Sequence, residues 1–371
     1  MSIFLILTSN KIRNFELNIF KKDFSSIIKN FINSKNVLFL IPIAIYTYLW
    51  QPYSLFYFFS ILIFVIVIRN IINYEDIEDN DWIYKTLIIS VIIVGFTLPF
   101  AGPFHENVPA SPGLFPEPSH LGFSIGPVLG VLTRKKKYSF IGVIGMTFFC
   151  IFSFSKSLII SYFFSIIFGK RFNSKFKSQK AALVIIFSLI IIISVKSLLM
   201  YQVEGFNENQ IDFGIFGSSL IWFFWVKHSL VEIFVSPFGT GPFGWLQGGL
   251  EAPLLIRECN YKTLCFYLGE FITSLNQRDM ASLFAFGLSS FGFLYPFYLF
   301  YLLNKICKNT IKVSNNYYKL EPISILLLSY ISTYMFRWSG FTAGPLIGLL
   351  CLMPKPNLQS DEDIYQSSID T

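Results

Sequence analysis

Phe115-Pro116-Glu117-Pro118-Ser119-His120-Leu121 separates two apolar runs, and the nature of that break decides the fold. One run closes at Phe100 and the next opens near Leu121. Between them, residues 101–120 carry five prolines together with His105, Glu106, Glu117 and His120. Such a segment cannot continue a lipid-facing helix, because each proline removes a backbone donor and each charge is costly in hydrocarbon. It suits a shaped loop between two membrane spans, with a carboxylate and an imidazole at its edge.

The composition extends that conclusion to the whole chain. Its 371 residues are 53% hydrophobic, 19% aromatic and only 14% charged. The mean hydropathy is +0.57, whereas soluble domains are about 25% charged. The expected fold class is therefore all-α, a polytopic integral membrane protein with about ten transmembrane helices and one large outer (periplasmic) loop. The apolar cores fall near residues 37–50, 53–69, 84–101, 119–133, 138–154, 157–169, 181–200, 283–304, 322–338 and 339–353.

Residues 1–371 read as a single membrane domain, with no internal repeat and no soluble domain. Residues 1–36 form a basic, amphipathic cytoplasmic lead-in, 201–282 the large periplasmic loop and 354–371 a cytoplasmic tail. Residues 1–7 lack the flanks of a cleavable leader, so the first span is expected to target the chain.

Lysine and arginine bias sets the orientation. A cytoplasmic N-terminus puts the basic segments 134–137, 170–180 and 305–319 on the cytoplasmic side, with both termini. The net charge of +7 then reflects membrane topology, and no nucleic-acid partner is inferred from it.

Three regions are left outside: the Glu117 loop, the turn at 152–157 and the segment beginning at Tyr201. The last carries His228, Arg257, Arg278, several tryptophans and the run Ser236-Pro237-Phe238-Gly239-Thr240-Gly241-Pro242-Phe243-Gly244. Aromatics and guanidinium groups of this kind suit sugar stacking and anion contacts. Gly239, Gly241 and Gly244 could allow backbone amides to approach an anion, although a simple turn is the better explanation. Cys259 and Cys265 could close a small disulfide loop in an oxidising compartment, or remain thiols. With three histidines and no metal-ligand spacing, no metal or other cofactor is expected.

Three of these segments resemble elements of the bacterial O-antigen and capsule polymerases (Wzy type) and the related O-antigen ligases. Phe115-Pro116-Glu117-Pro118-Ser119-His120 is similar to a Glu-Pro-Ser element that opens a span. Phe152-Ser153-Phe154-Ser155-Lys156-Ser157 is similar to a serine-rich turn ending in a basic residue, with Lys156 standing where arginine is usual. Ser236-Pro237-Phe238-Gly239-Thr240-Gly241-Pro242 is similar to a Pro-x-x-Gly-x-Gly segment in the large outer loop.

The resemblance implies a membrane glycosyltransferase that joins undecaprenyl-pyrophosphate-linked oligosaccharide units at the outer face of the inner membrane. The chemistry needs a base near the acceptor hydroxyl and positive charge near the departing pyrophosphate. Glu117 is the expected base, with His120 as its partner or substitute. Lys156 and Arg337 are the expected pyrophosphate contacts, supported by Arg257, Arg278, His228, Gly239 and Gly241. The implied partners are the lipid-linked substrate, membrane lipid, an upstream flippase and a chain-length regulator. Two alternatives stay open: an O-antigen ligase transferring glycan to lipid A-core, and a flippase for lipid-linked oligosaccharide.

Overall fold

The computed structural model describes residues 81–98, 115, 118–153, 155–173, 176–204, 226, 229–231, 233–239, 282–314 and 316–336. The lead-in at 1–36, the expected spans at 37–50, 53–69 and 339–353, the tail, and most of the 201–282 loop lie outside the described residues. What is described is mostly helical: α1 (Asp81–Thr97), α2 (Pro118–Arg134), α3 (Ser139–Ser153), α4 (Lys156–Phe168), α5 (Ser178–Glu204), α6 (Leu283–Phe291), α7 (Leu294–Cys307) and α8 (Pro322–Tyr334). A short 3-10 turn, Lys136–Tyr138, joins α2 to α3.

The centre of the bundle is the pair α2 and α4, and the sequence explains why they meet so closely. Gly122, Gly126 and Gly130 recur every fourth residue and so share one face of α2. Ser157, Ser161 and Ser165 do the same on α4. A Cβ on any of the three glycines would run into the facing serine, so the missing side chains are what allow the backbones to approach. Small residues at helix contacts are how apolar bundles gain packing when the solvent offers no hydrophobic drive.

The approach is fastened by hydrogen bonds. Ser157 Oγ donates to the Ser119 carbonyl at 2.9 Å, and Ser161 Oγ donates to the Gly122 carbonyl at 2.9 Å. Ser165 Oγ lies 2.9 Å from the Pro127 carbonyl and 2.9 Å from Ser329 Oγ, tying α2, α4 and α8 together. Pro127 sits inside α2, where a missing N–H disturbs the ladder. Tyr330 Oη, from α8, donates to the nearby Ser124 carbonyl at 2.6 Å. Neighbouring hydroxyls thus serve carbonyls around the proline, where the helix's own ladder is interrupted.

The chain order gives alternating helix directions. Ser119 is beside Ser157, and Arg134 is beside Gly169, so α2 and α4 run parallel. Between them in sequence, α3 returns, with Gly142 packed against Thr133 and Gly145 against Leu129. Tyr330 meets Ser124 in the N-terminal half of α2, while Pro322 lies with Arg134 at its C-terminal end, so α8 runs opposite to α2. α8 is buried along its whole length.

Outside this core the helices stay apolar. Ile92, Ile93 and Phe96 of α1, Phe140, Val143 and Ile144 of α3, and Leu183, Ile186 and Phe187 of α5 are all exposed. α4, with 13 residues, rises only ~20 Å against a hydrocarbon core of about 30 Å. Among the described residues, no helix is long and apolar enough to cross a membrane.

Two features differ from the sequence expectation. The single run at 283–304 is two helices, α6 and α7, broken at Gly292 with φ 53°. Phe293 N donates to the Pro237 carbonyl at 2.9 Å there, and a Cβ at Gly292 would collide with that carbonyl. The basic connection after α7 is not a loop but an antiparallel hairpin of β1 (Thr310–Ser314) and β2 (Tyr317–Leu320). Phe172 and Tyr318 extend it by exchanging N–H···O bonds of 2.9 and 2.8 Å.

Candidate functional site

The first two motif segments come together at the N-terminal ends of α2 and α4. The Ser157 hydroxyl donates to the Ser119 carbonyl and lies 2.6 Å from Ser155 Oγ. Ser155 and Ser157 are buried, and Ser119 and His120 are half-buried. The close fit has a local cause: Gly122, one turn into α2, has no side chain to hold Ser155 and Ser157 away. Residues 38 apart in the chain thereby become neighbours.

His120 is in the first turn of α2, and Lys156 is the first residue of α4. The helices are parallel, so two helix N-termini, each carrying partial positive charge, open at the same end. Neither first turn contains an acidic residue. The arrangement is compatible with a negatively charged group.

Gly239 receives a different explanation. Its φ of 80° is left-handed, and a Cβ would collide with the Ser290 backbone. Its N–H donates to the Ser236 carbonyl at 2.8 Å, closing a turn, so this amide is already engaged. Residues 236–239 instead dock on the α6–α7 break through the Pro237 carbonyl, and Ser229 Oγ adds a 3.0 Å bond to the Ala285 carbonyl. Packing accounts for this glycine without a ligand.

Glu117, His228, Gly241, Arg257, Arg278 and Arg337 lie outside the described residues, as do Cys259 and Cys265. Among the described residues, no group of His, Cys, Asp and Glu could hold a metal ion.

The opposite end of the bundle has a cation-rich site that sequence reasoning treated only as topology. Arg134, Lys135, Lys136, Arg171 and Lys319 line a cavity of about 630 Å³ with Tyr84 and the apolar face of the hairpin. Arg134 Nε and Nη2 donate to the Gly169 carbonyl at 3.2 and 3.0 Å, which holds the guanidinium at the C-terminal end of α4. Lys135 Nζ is 5.1 Å from the centre of the Tyr84 ring. Burial, then the charges of Arg134, Lys135 and Arg171, push the half-buried Lys319 ammonium down to about 8. Glu321, which precedes Pro322 in the chain, has its carboxyl raised by burial. The available signal was the spacing of three basic segments, which does not reveal that they converge.

No family model matches the chain, nor does any curated protein or solved structure.

Proposed function

We propose that the chain is a polysaccharide repeat-unit polymerase, a membrane glycosyltransferase using lipid-pyrophosphate-linked oligosaccharides as both donor and acceptor. The supporting observation is the hydrogen bond from Ser157 to Ser119. It makes neighbours of two of the segments, 115–120 and 152–157, that carry the polymerase resemblance.

In this proposal a hydroxyl of one unit attacks the anomeric carbon of the other. Glu117 takes the hydroxyl proton, the new glycosidic bond forms, and the bond to lipid pyrophosphate breaks. His120, three residues from Glu117, assists the proton transfer. Lys156 and Arg337 stabilise the charge that develops on the leaving pyrophosphate, reinforced by the paired N-termini of α2 and α4. The exposed apolar faces of α1, α3 and α5 support a lipid-facing exterior, since a helix that is apolar all round needs burial in protein or membrane.

The test is deletion of the gene in its host, with the surface polysaccharide resolved by gel and the undecaprenyl-linked pool measured in the same cells. A polymerase leaves single repeat units on both the surface acceptor and the carrier. Full-length polymer trapped on the carrier would show a ligase instead, and repeat units confined to the inner leaflet would show a flippase.

A further inference from the structure

We infer that the cavity between the α2–α3 turn, the α4–α5 connection and the β-hairpin is a binding site for a phosphate-bearing ligand. It lies at the opposite end of the bundle from the proposed catalytic segments and does not depend on that proposal.

Surface lysines and arginines are normally solvated and spread apart, and like charges brought together repel. Here five cations, drawn from three separate connections, converge on one cavity. The fold actively assembles them: the Phe172–Tyr318 bonds clamp the Arg171 segment to the hairpin, and the two Arg134 bonds clamp α2 to the end of α4.

Among the described residues, no carboxylate lines the cavity. Repulsion and partial burial are instead imposed on Lys319 itself. An anion entering the cavity would screen the repulsion and compensate the ammonium for its burial. Phosphate fits best, because guanidinium and ammonium groups surround several oxygens that together accept many donors.

The hairpin wall is largely apolar apart from Lys319. Ile311 and Val313 of β1 line it with Leu320 and Pro322. A phosphate carried on a hydrocarbon chain would use both walls, whereas a free diphosphate would use only the cationic one. Basic pockets beside helices on a cytoplasmic face have this amphipathic character when they hold lipid headgroups.

The test uses the full chain in neutral detergent micelles. Inorganic pyrophosphate is titrated in by calorimetry, and phosphatidylglycerol is doped into matching micelles and followed by native mass spectrometry, with phosphatidylcholine as control. At least one phosphate probe should bind, and the triple variant Lys136→Gln/Arg171→Gln/Lys319→Gln should lose about tenfold or more in affinity. Lys312→Gln, on the exposed β1 strand and not lining the cavity, should bind as the parent does. Should the triple variant fold poorly, Arg171→Gln alone, at an exposed position, should still weaken binding measurably.

Pyrophosphate binding that phosphatidylglycerol leaves untouched identifies a soluble phosphate ligand. Retained phosphatidylglycerol that excludes pyrophosphate identifies a lipid headgroup. Absence of binding by both probes, or unchanged affinity in the folded variants, overturns the site.

Discussion

Ser161 Oγ donates to the Gly122 carbonyl at 2.9 Å across the interface of α2 and α4. One turn further along α2, a Cβ at Gly126 would fall on the same hydroxyl. The interface therefore works as a ladder in which each glycine makes room for a serine that bonds the opposite backbone.

That ladder should not tolerate a methyl group. A Cβ at Gly126 would also lie 2.8 Å from the Leu158 carbonyl oxygen, which no rotamer change can move. Gly126→Ala should cost about 1–3 kcal/mol by forcing the helices apart. Gly95→Ala is the internal comparison, since its Cβ would meet Phe148 and Phe149 only at 3.7 and 3.8 Å. It should be neutral or stabilising by up to about 1 kcal/mol, because alanine favours the helix over glycine. Melting of the two purified variants in detergent checks the contrast, and equal melting temperatures would remove the ladder's importance.

The Tyr330 hydroxyl gives a second, independent measurement of the same core. It bonds the Ser124 carbonyl at 2.6 Å, close to the proline inside α2. Tyr330→Phe keeps the ring and removes only the donor, so it should cost about 1 kcal/mol, with the unpaired carbonyl setting the upper end. A hydrogen-exchange experiment should show faster exchange along α2 than in the parent. Unchanged exchange would mean that the carbonyl is served from elsewhere.

Much of the helical plan was legible because apolar runs interrupted by charge and proline are local signals. The run at 119–133 became Pro118–Arg134, and 157–169 became Lys156–Phe168. The break at Gly292 was not legible, since it is created by the Pro237 carbonyl arriving from a distant segment. The hairpin did leave a trace. Ile311 and Val313 alternate with Lys312 and Ser314 before Asn315-Asn316, and Tyr317-Tyr318 follow, a strand-and-turn pattern. The lysines among them drew attention to charge instead. The candidate site was legible as two motifs, while their juxtaposition required Gly122, whose role is visible only across the α2–α4 contact.

The proposed chemistry makes its own demand. Glu117→Gln should abolish polymer while the protein stays in the membrane, and Arg337→Ala should reduce polymer more than Arg257→Ala. Ser157→Ala, which removes the bond to Ser119, should lower stability by about 1 kcal/mol and reduce polymer only in part. Surface polysaccharide gels with matched membrane immunoblots give both readouts. Parental polymer from Glu117→Gln would eliminate it as the base.

Lys319 ties stability to pH in a direction that can be worked out beforehand. Burial and three neighbouring cations lower its folded-state value to about 8 from an ordinary 10.5. Below about pH 8 the ammonium is charged in both the folded and unfolded states, so its full penalty weighs on the fold. Between about 8 and 10.5 the folded protein has released this proton and the unfolded chain has not. Stability attributable to this group therefore rises with pH across that window. Lys319→Gln removes the penalty and should stabilise the protein at pH 7 by about 1 kcal/mol, after allowance for solvent screening. The advantage over the parent should shrink as pH approaches 10. Thermal melts of both proteins at pH 7, 8.5 and 10, in low salt, provide the measurement. A variant less stable than the parent at pH 7 would mean that Lys319 is held by an anion already bound in the cavity.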